Sequence, residues 1–150
     1  MKSITRTEFF EIPVPVTELF PLFSPEGEKL WVPGWDYQNV MGTTELFEDY
    51  VFLTETHDHG AQKAIWIVKR YEPNVYFVQY YRVEPEEKVG VVTVVCTELE
   101  VDRTKVQVTY KYIALSPSGE QFIAGFSEDF YEEFIKEWET LLLKHFELIA

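Results

Sequence analysis

Apolar and polar residues alternate through most of this chain, and the alternation gives way to a three-to-four spacing near its end. In residues 3–12, Ile4, Arg6, Glu8, Phe10 and Ile12 share one parity, Thr5, Thr7 and Phe9 share the other, and Pro13 and Pro15 close the run. This predicts a strand at an edge or at the start of a sheet, because proline cannot donate to a ladder. Thr17 then caps a short apolar turn, Leu19, Phe20, Leu22 and Phe23, and residues 25–31 supply a second helical piece. Pro21 and Pro25 keep the two from merging. Pro33-Gly34 marks a turn, and short β-like stretches follow at 36–41 and 49–56 on either side of the polar 42–45 segment.

Longer segments at 62–71, 74–83, 87–101 and 105–115 are rich in Val, Ile, Thr, Tyr and Phe and are separated by hairpin-length links, which predicts an antiparallel meander. In the last of them Val106, Val108, Tyr110, Tyr112 and Ala114 lie opposite Lys105, Gln107, Thr109 and Lys111, so one face is buried and the other wet. After Ser116-Pro117-Ser118-Gly119 the period changes. Ser127 is placed to cap a helix with Glu128 and Asp129 in its first turn, and Phe130, Phe134, Trp138, Leu141, Leu142 and His145 recur along one side. Glu132, Glu133, Lys136, Glu137, Glu139 and Lys144 form a solvated opposite side. The pattern as a whole describes one α+β domain over 1–150. A curved antiparallel sheet of about seven strands wraps around one long C-terminal helix, with two short helices after the first strand.

Charge and composition then exclude partners. Thirteen Lys and Arg against 26 Asp and Glu leave a net charge of -13, which repels nucleic-acid backbones and anionic membrane surfaces. No apolar run approaches the roughly 20 residues of a membrane-spanning helix. The single Cys96 rules out an internal disulfide, and the first eight residues hold no apolar signal core, so the expected location is cytoplasmic. Twelve Phe, nine Tyr and four Trp make 17% of the chain, more ring surface than a small core needs, and rings between a curved sheet and a helix can line a cavity.

Residues 20–35, Phe-Pro-Leu-Phe-Ser-Pro-Glu-Gly-Glu-Lys-Leu-Trp-Val-Pro-Gly-Trp, resemble bacterial members of the SRPBCC superfamily, which groups START-like, Bet v 1-like and polyketide cyclase/dehydrase-like proteins. Residues 66–73, Trp-Ile-Val-Lys-Arg-Tyr-Glu-Pro, and the aromatic terminal helix extend the resemblance over essentially the whole chain. It implies a helix-grip fold with a deep hydrophobic ligand cavity between sheet and long helix. It does not imply one reaction, since members include lipid carriers, hormone-binding proteins, cyclases and chaperone regulators.

Candidate site residues follow from parity and chemistry. Tyr110 and Tyr112, on the apolar face of their strand, carry hydroxyls that can hold a ligand oxygen or serve the core. Phe130, Phe134 and Trp138 form the helix stripe, at once packing and cavity wall. Trp66, Val68 and Arg70 share a strand face opposite Lys63, Ile65, Ile67 and Lys69; with the lysines outside, the Arg70 guanidinium points inward, able to pair a carboxylate or enolate. Trp31 and Trp35 flank Pro33-Gly34 and either form a lid or anchor the short helices. Glu28, beside Trp31, is the carboxylate whose burial would suit it to proton transfer, with Arg70 and Tyr112 the other weak catalytic candidates. His57-Asp58-His59-Gly60 reads as a hairpin tip, not a metal site, because no third ligand is evident. Cys96 reads as a packing residue. No cofactor motif is present.

The leading expectation is a module that binds a hydrophobic or aromatic small molecule, lipid-like or polyketide-like, between sheet and helix. A cyclase- or dehydratase-like enzyme using the same cavity is the alternative. The third is an interaction or chaperone-regulator module working through its acidic helix face. A homodimer through strand edges or exposed rings is compatible with the pattern.

Overall fold

The computed structural model describes residues 2–55 and 63–150. β1 (Ser3–Ile12) leads into α1 (Val16–Leu19), a 3-10 turn (Phe20–Phe23) and α2 (Pro25–Glu28). Ser24 both ends the turn and starts α2. Its hydroxyl donates to the Pro21 carbonyl at 2.9 Å and accepts from the Gly27 N–H at 2.9 Å. Pro25 occupies the first helical position, where a missing N–H leaves no bond unmade. α2 then folds back onto the turn so closely that only glycine fits at position 27: a Cβ there would stand 2.2 Å from the Pro21 oxygen and 2.7 Å from the Leu22 Cα. Gly27→Ala is expected to cost about 3 kcal/mol through backbone displacement, read as a lowered Tm in a thermal melt. An unchanged Tm would refute this packing of the two short helices.

β1 joins β2 (Val51–Glu55), β3 (Lys63–Glu72), β4 (Phe77–Glu84), β5 (Lys88–Glu100) and β6 (Arg103–Ala114) in one antiparallel sheet ordered β1-β6-β5-β4-β3-β2. The sheet therefore has six strands among the described residues, not seven. The stretch at 36–41 makes only an isolated bridge, Gln38 to Leu53. Its side chains bond their own backbone instead: Asp36 Oδ1 accepts from the Tyr37 N–H and Asn39 Oδ1 from the Gly42 N–H, with Gly42 at φ +77°. Such local turns compete with a ladder and here prevail over it. The His57-Asp58-His59-Gly60 segment lies outside the described residues.

The concave face is covered by α3 (Pro117–Gly125) and α4 (Glu128–His145). Ser127 caps α4 as expected, accepting from the Phe130 N–H at 3.1 Å. Of the expected stripe, Leu142 is buried, Phe134, Trp138 and Leu141 are partly buried against the core and Phe130 is 54% exposed; Tyr131 and Ile135 are buried as well, so the helix is rotated toward them. The Tyr131 hydroxyl fixes that rotation by donating to the Val108 carbonyl at 2.6 Å. α3 was not expected. Ser116 caps it, and Gly119 allows it to press on the β4–β5 turn, since a Cβ there would lie 2.0 Å from the Glu87 oxygen. Arg6 on β1 holds the corner between the two helices, its Nε donating to the Phe126 carbonyl at 3.2 Å.

The outer face is wet along β6 but not across the sheet. Register aligns Leu53, Ile65, Val83, Val89 and Ile113 in one cross-strand row and Val51, Ile67, Tyr81 and Val91 in the next. Among the described residues, no helix is long and apolar enough to cross a membrane.

Candidate functional site

Antiparallel register brings residues distant in sequence into line on the concave face. Trp66, Arg82, Gly90 and Tyr112 form one row, and Val68, Tyr80, Val92 and Tyr110 the next. Gly90 interrupts the first row with no side chain. A Cβ there would meet the Tyr112 ring at 3.1 Å and the Arg82 Cβ at 3.7 Å, so glycine lets the phenol ring lie close against the strand beside Arg82.

Arg70 is not in this row. A β-bulge between Val68 and Arg70 shifts the register, so Val68 pairs with Tyr80 while Arg70 pairs with Gln79 on the outer face. Arg70 is exposed there, bonded to Glu72 and lying 4.8 Å from the Phe77 ring centroid. The inward guanidinium belongs to Arg82, which no pattern along the chain singles out. Its charge sits 5.5 Å from the Trp66 ring, and Trp66 Nε1 donates to Thr54 Oγ1 at 2.9 Å.

The opposite wall comes from the short helices and α4. Trp31, Phe23 and Trp138 pack together with ring centroids 5.6–6.1 Å apart, and Tyr110 meets Phe134 at 5.5 Å and Trp138 at 6.3 Å. Trp31 Nε1 donates to the Leu22 carbonyl at 2.7 Å and Trp35 Nε1 to the Pro25 carbonyl at 2.8 Å. Both indoles are thus tied to the short-helix segment, Trp35 also reaching Trp66 at 6.3 Å. Phe130, by contrast, is turned out to solvent with Glu133 and Glu137.

Glu28 ends α2 on this wall. Burial pushes its carboxyl up to about 8 from an ordinary 4.5, with no cation close enough to offset it. It is near enough to Tyr80 and Tyr110 for its charge to add to the burial that raises both phenols. Burial also raises Tyr112 to about 12, against the pull of Arg82. Beyond Arg82 lies a compact ion cluster. Glu84 accepts from Arg82 at 2.7 Å and faces Lys88 Nζ at 2.9 Å, and Lys88 also reaches Glu87 at 2.9 Å. Cys96, buried and pushed up to about 12, takes no part. No three His, Cys, Asp or Glu side chains among the described residues converge as metal ligands would.

Every fully buried side-chain nitrogen and oxygen among the described residues has a hydrogen-bond partner. The Glu28 carboxyl and the Tyr110 and Tyr112 hydroxyls have none from the described residues, so these oxygens border open space. Tyr80 is different: its hydroxyl donates to the Phe23 carbonyl at 2.7 Å. A cleft of about 390 Å³ is lined by Phe20, Phe23, Tyr71, Val78 and the 44–46 segment. None of the eight residues expected to contact a ligand lines that cleft, and no pattern in the sequence marked it.

No family profile and no curated protein matches the chain. Solved structures do. A START superfamily protein from Mycobacterium smegmatis superposes with a TM-score of 0.68 at 13% identity, over 97% of this chain and 99% of that one. Norcoclaurine synthase from Thalictrum flavum, in complex with dopamine and hydroxybenzaldehyde, gives 0.61 at 9% identity, over 95% and 88%. The di-domain ARO/CYC protein BexL of the BE-7585A biosynthetic pathway gives 0.59 at 14% identity, over 81% of this chain and 40% of that one. The chain therefore has the helix-grip fold of the SRPBCC superfamily, START-like and Bet v 1-like.

Proposed function

We propose that this protein binds a hydrophobic, aromatic small molecule in the space between the sheet and α4. The observation that carries this is that the oxygens of Glu28, Tyr110 and Tyr112 have no hydrogen-bond partner among the described residues, although the Tyr110 ring packs among those of Tyr112, Phe134 and Trp138. Polar groups kept inside a ring-lined space without protein partners suit a ligand or the waters it displaces. A fold shared with an enzyme described with dopamine and hydroxybenzaldehyde supports an aromatic guest. Burial of its rings would drive affinity. Native mass spectrometry of freshly purified protein, followed by titration with 2-acetylnaphthalene monitored by tryptophan fluorescence, tests the reading. Quenching is expected in the wild type and should weaken at least tenfold in Gly90→Val, whose added carbons collide with the Tyr112 ring and displace its hydroxyl. No bound guest and no quenching would overturn it.

The enzyme alternative rests on one observation, the Glu28 carboxyl raised toward neutrality beside Tyr110. A group poised near the working pH can move a proton to or from a bound ketone chain, as a cyclase or dehydratase requires. Arg82, already paired with Glu84 at 2.7 Å, stands on the inner face where Arg70 was expected. With a reactive ketone as substrate, Glu28→Gln should abolish turnover while binding persists, and retained turnover would exclude Glu28 as the acid-base group.

A further inference from the structure

The cleft of about 390 Å³ takes none of its lining from α4. One side comes from the 3-10 turn and from the adjoining ends of β3 and β4. Phe20, Phe23 and Val78 there are 7%, 3% and 1% exposed, and the Phe20 ring stacks on that of Tyr71 with centroids 6.4 Å apart. A volume near the lower end of the roughly 300–1,000 Å³ usual for small-molecule sites suits a compact ligand of one or two rings, not a long acyl chain. The other side is the 44–46 segment, which the protein itself holds in shape. Tyr50, fully buried, donates its hydroxyl to the Thr43 carbonyl at 2.7 Å, Thr43 Oγ1 accepts from the Glu45 N–H at 3.2 Å, and Leu46 packs against the core. A wall ordered in advance lowers the cost of binding.

Charge at this cleft has one sign. Glu45 is its one acidic lining residue, and no basic residue lines it. From Leu30 to Gln62 the chain contains no Lys or Arg, so the segment that forms this wall carries Glu45, Glu48 and Asp49 without a cation of its own. The cations that flank the other wall in sequence are already held, Lys29 by Glu26 at 3.4 Å and Arg70 by Glu72.

We infer that this cleft is a second binding site and that it takes a compact aromatic ammonium compound, one or two rings bearing a protonated amine. The rings lie against Phe20, Phe23 and Tyr71, where burial and ring contacts stabilise them. The ammonium lies toward Glu45, where the carboxylate and the neighbouring rings answer its charge. An uncharged compound of the same shape gains the ring contacts alone. An anionic one faces Glu45 with no free cation to receive it. Because Glu45 is exposed, its attraction is modest and is screened by salt.

Three near-isosteric probes test this: tryptamine, 3-ethylindole and indole-3-acetate, each titrated at pH 7 into isotope-labelled protein and followed by amide chemical shifts. Tryptamine is expected to bind several-fold more tightly than 3-ethylindole and about tenfold more tightly than indole-3-acetate, with the shifts concentrated at 44–46, Tyr71 and Val78. Added salt should shrink the preference for the amine. Glu45→Gln should remove that preference with 3-ethylindole affinity held. Glu133→Gln, an equal change of net charge on α4, should leave it in place, which separates a built site from the general attraction of a chain of charge -13 for cations. Equal affinity for the three probes, or loss of the preference in Glu133→Gln as well, overturns the inference. So does the absence of binding by any of them. Shifts confined to Tyr110, Phe134 and Trp138 overturn it too, while leaving the proposed binding between the sheet and α4 standing. Shifts at the cleft without a response to 2-acetylnaphthalene uphold it and overturn that other reading. The wild-type titrations decide among these outcomes even where a variant does not fold.

Discussion

Glu28→Gln is expected to make the protein more stable, and increasingly so as pH rises. An ordinary carboxyl titrates near 4.5, and that is its value in the unfolded chain; folding raises Glu28 to about 8. Between these values the folded state holds a proton that the unfolded state has released, so unfolding stability falls as pH increases through this window. Below about pH 4.5 both states are protonated and the residue is neutral in its effect. Above pH 8 both are ionised and the full burial penalty is present. The slope is about 1.4 kcal/mol per pH unit, giving about 3 kcal/mol at pH 7. Glutamine has nearly the same shape and does not titrate. Chemical denaturation of both proteins from pH 4.5 to 8.5 should therefore show curves that coincide at the acid end and diverge toward the alkaline end, the variant above. Parallel curves would place the Glu28 carboxyl in contact with bulk water and remove the enclosure on which the binding proposal depends. A stability cost of this size at the wall of a cavity is the kind that persists where a group serves a ligand.

What the chain disclosed in advance follows from what water imposed on it. β6 alternates cleanly because Lys105, Gln107, Thr109 and Lys111 face solvent, so its parity and the inward placement of Tyr110 and Tyr112 were legible. β5 is apolar on both faces, Val91 and Val95 lying outside as Val92 and Val94 lie inside, so its register was invisible until paired. Arg82 and Gly90 meet Tyr112 only through that register. The Arg70 error has one cause, an extra residue in β3 that reverses parity beyond Val68, and nothing in Ile-Val-Lys-Arg-Tyr announces a bulge. On α4, Phe130 is by hydrophobicity the better residue to lead a buried stripe, yet Tyr131 is the one buried. The phenol prevails because its hydroxyl reaches the Val108 carbonyl across the interface. Glu28 is singled out in the sequence as a carboxyl beside Trp31, but its distance from the cations among the described residues became visible only once α2 was placed.

Lys88→Met is expected to be the most damaging single change on the concave face. The ammonium is 4% exposed, 2.9 Å from both Glu84 and Glu87 and 3.9 Å from the Phe122 ring centroid. Removing one member of a buried ion cluster strands the others without water, at a typical cost of about 3–5 kcal/mol; Arg82, which still holds Glu84, places this case near the lower end. The loss should be local as well as global. Ser118 donates to Glu87 at 3.0 Å, Gly119 packs on the Glu87 carbonyl and Phe122 covers the ammonium, so all of α3 is seated on this cluster. Hydrogen exchange in Lys88→Met should accordingly accelerate at residues 119–125 before it does along β6. Adding Glu84→Gln should recover part of the stability, because it removes the surplus negative charge and leaves one cation, Arg82, against one carboxylate, Glu87. It should also free Arg82: the double variant, now carrying a guanidinium without its nearest carboxylate, should bind 2-naphthoate more tightly than the wild type does. An unchanged stability in Lys88→Met would mean the cluster is solvated and holds α3 only loosely. Unchanged naphthoate affinity in the double variant would show that Arg82 does not face the ligand space, whatever the stability result.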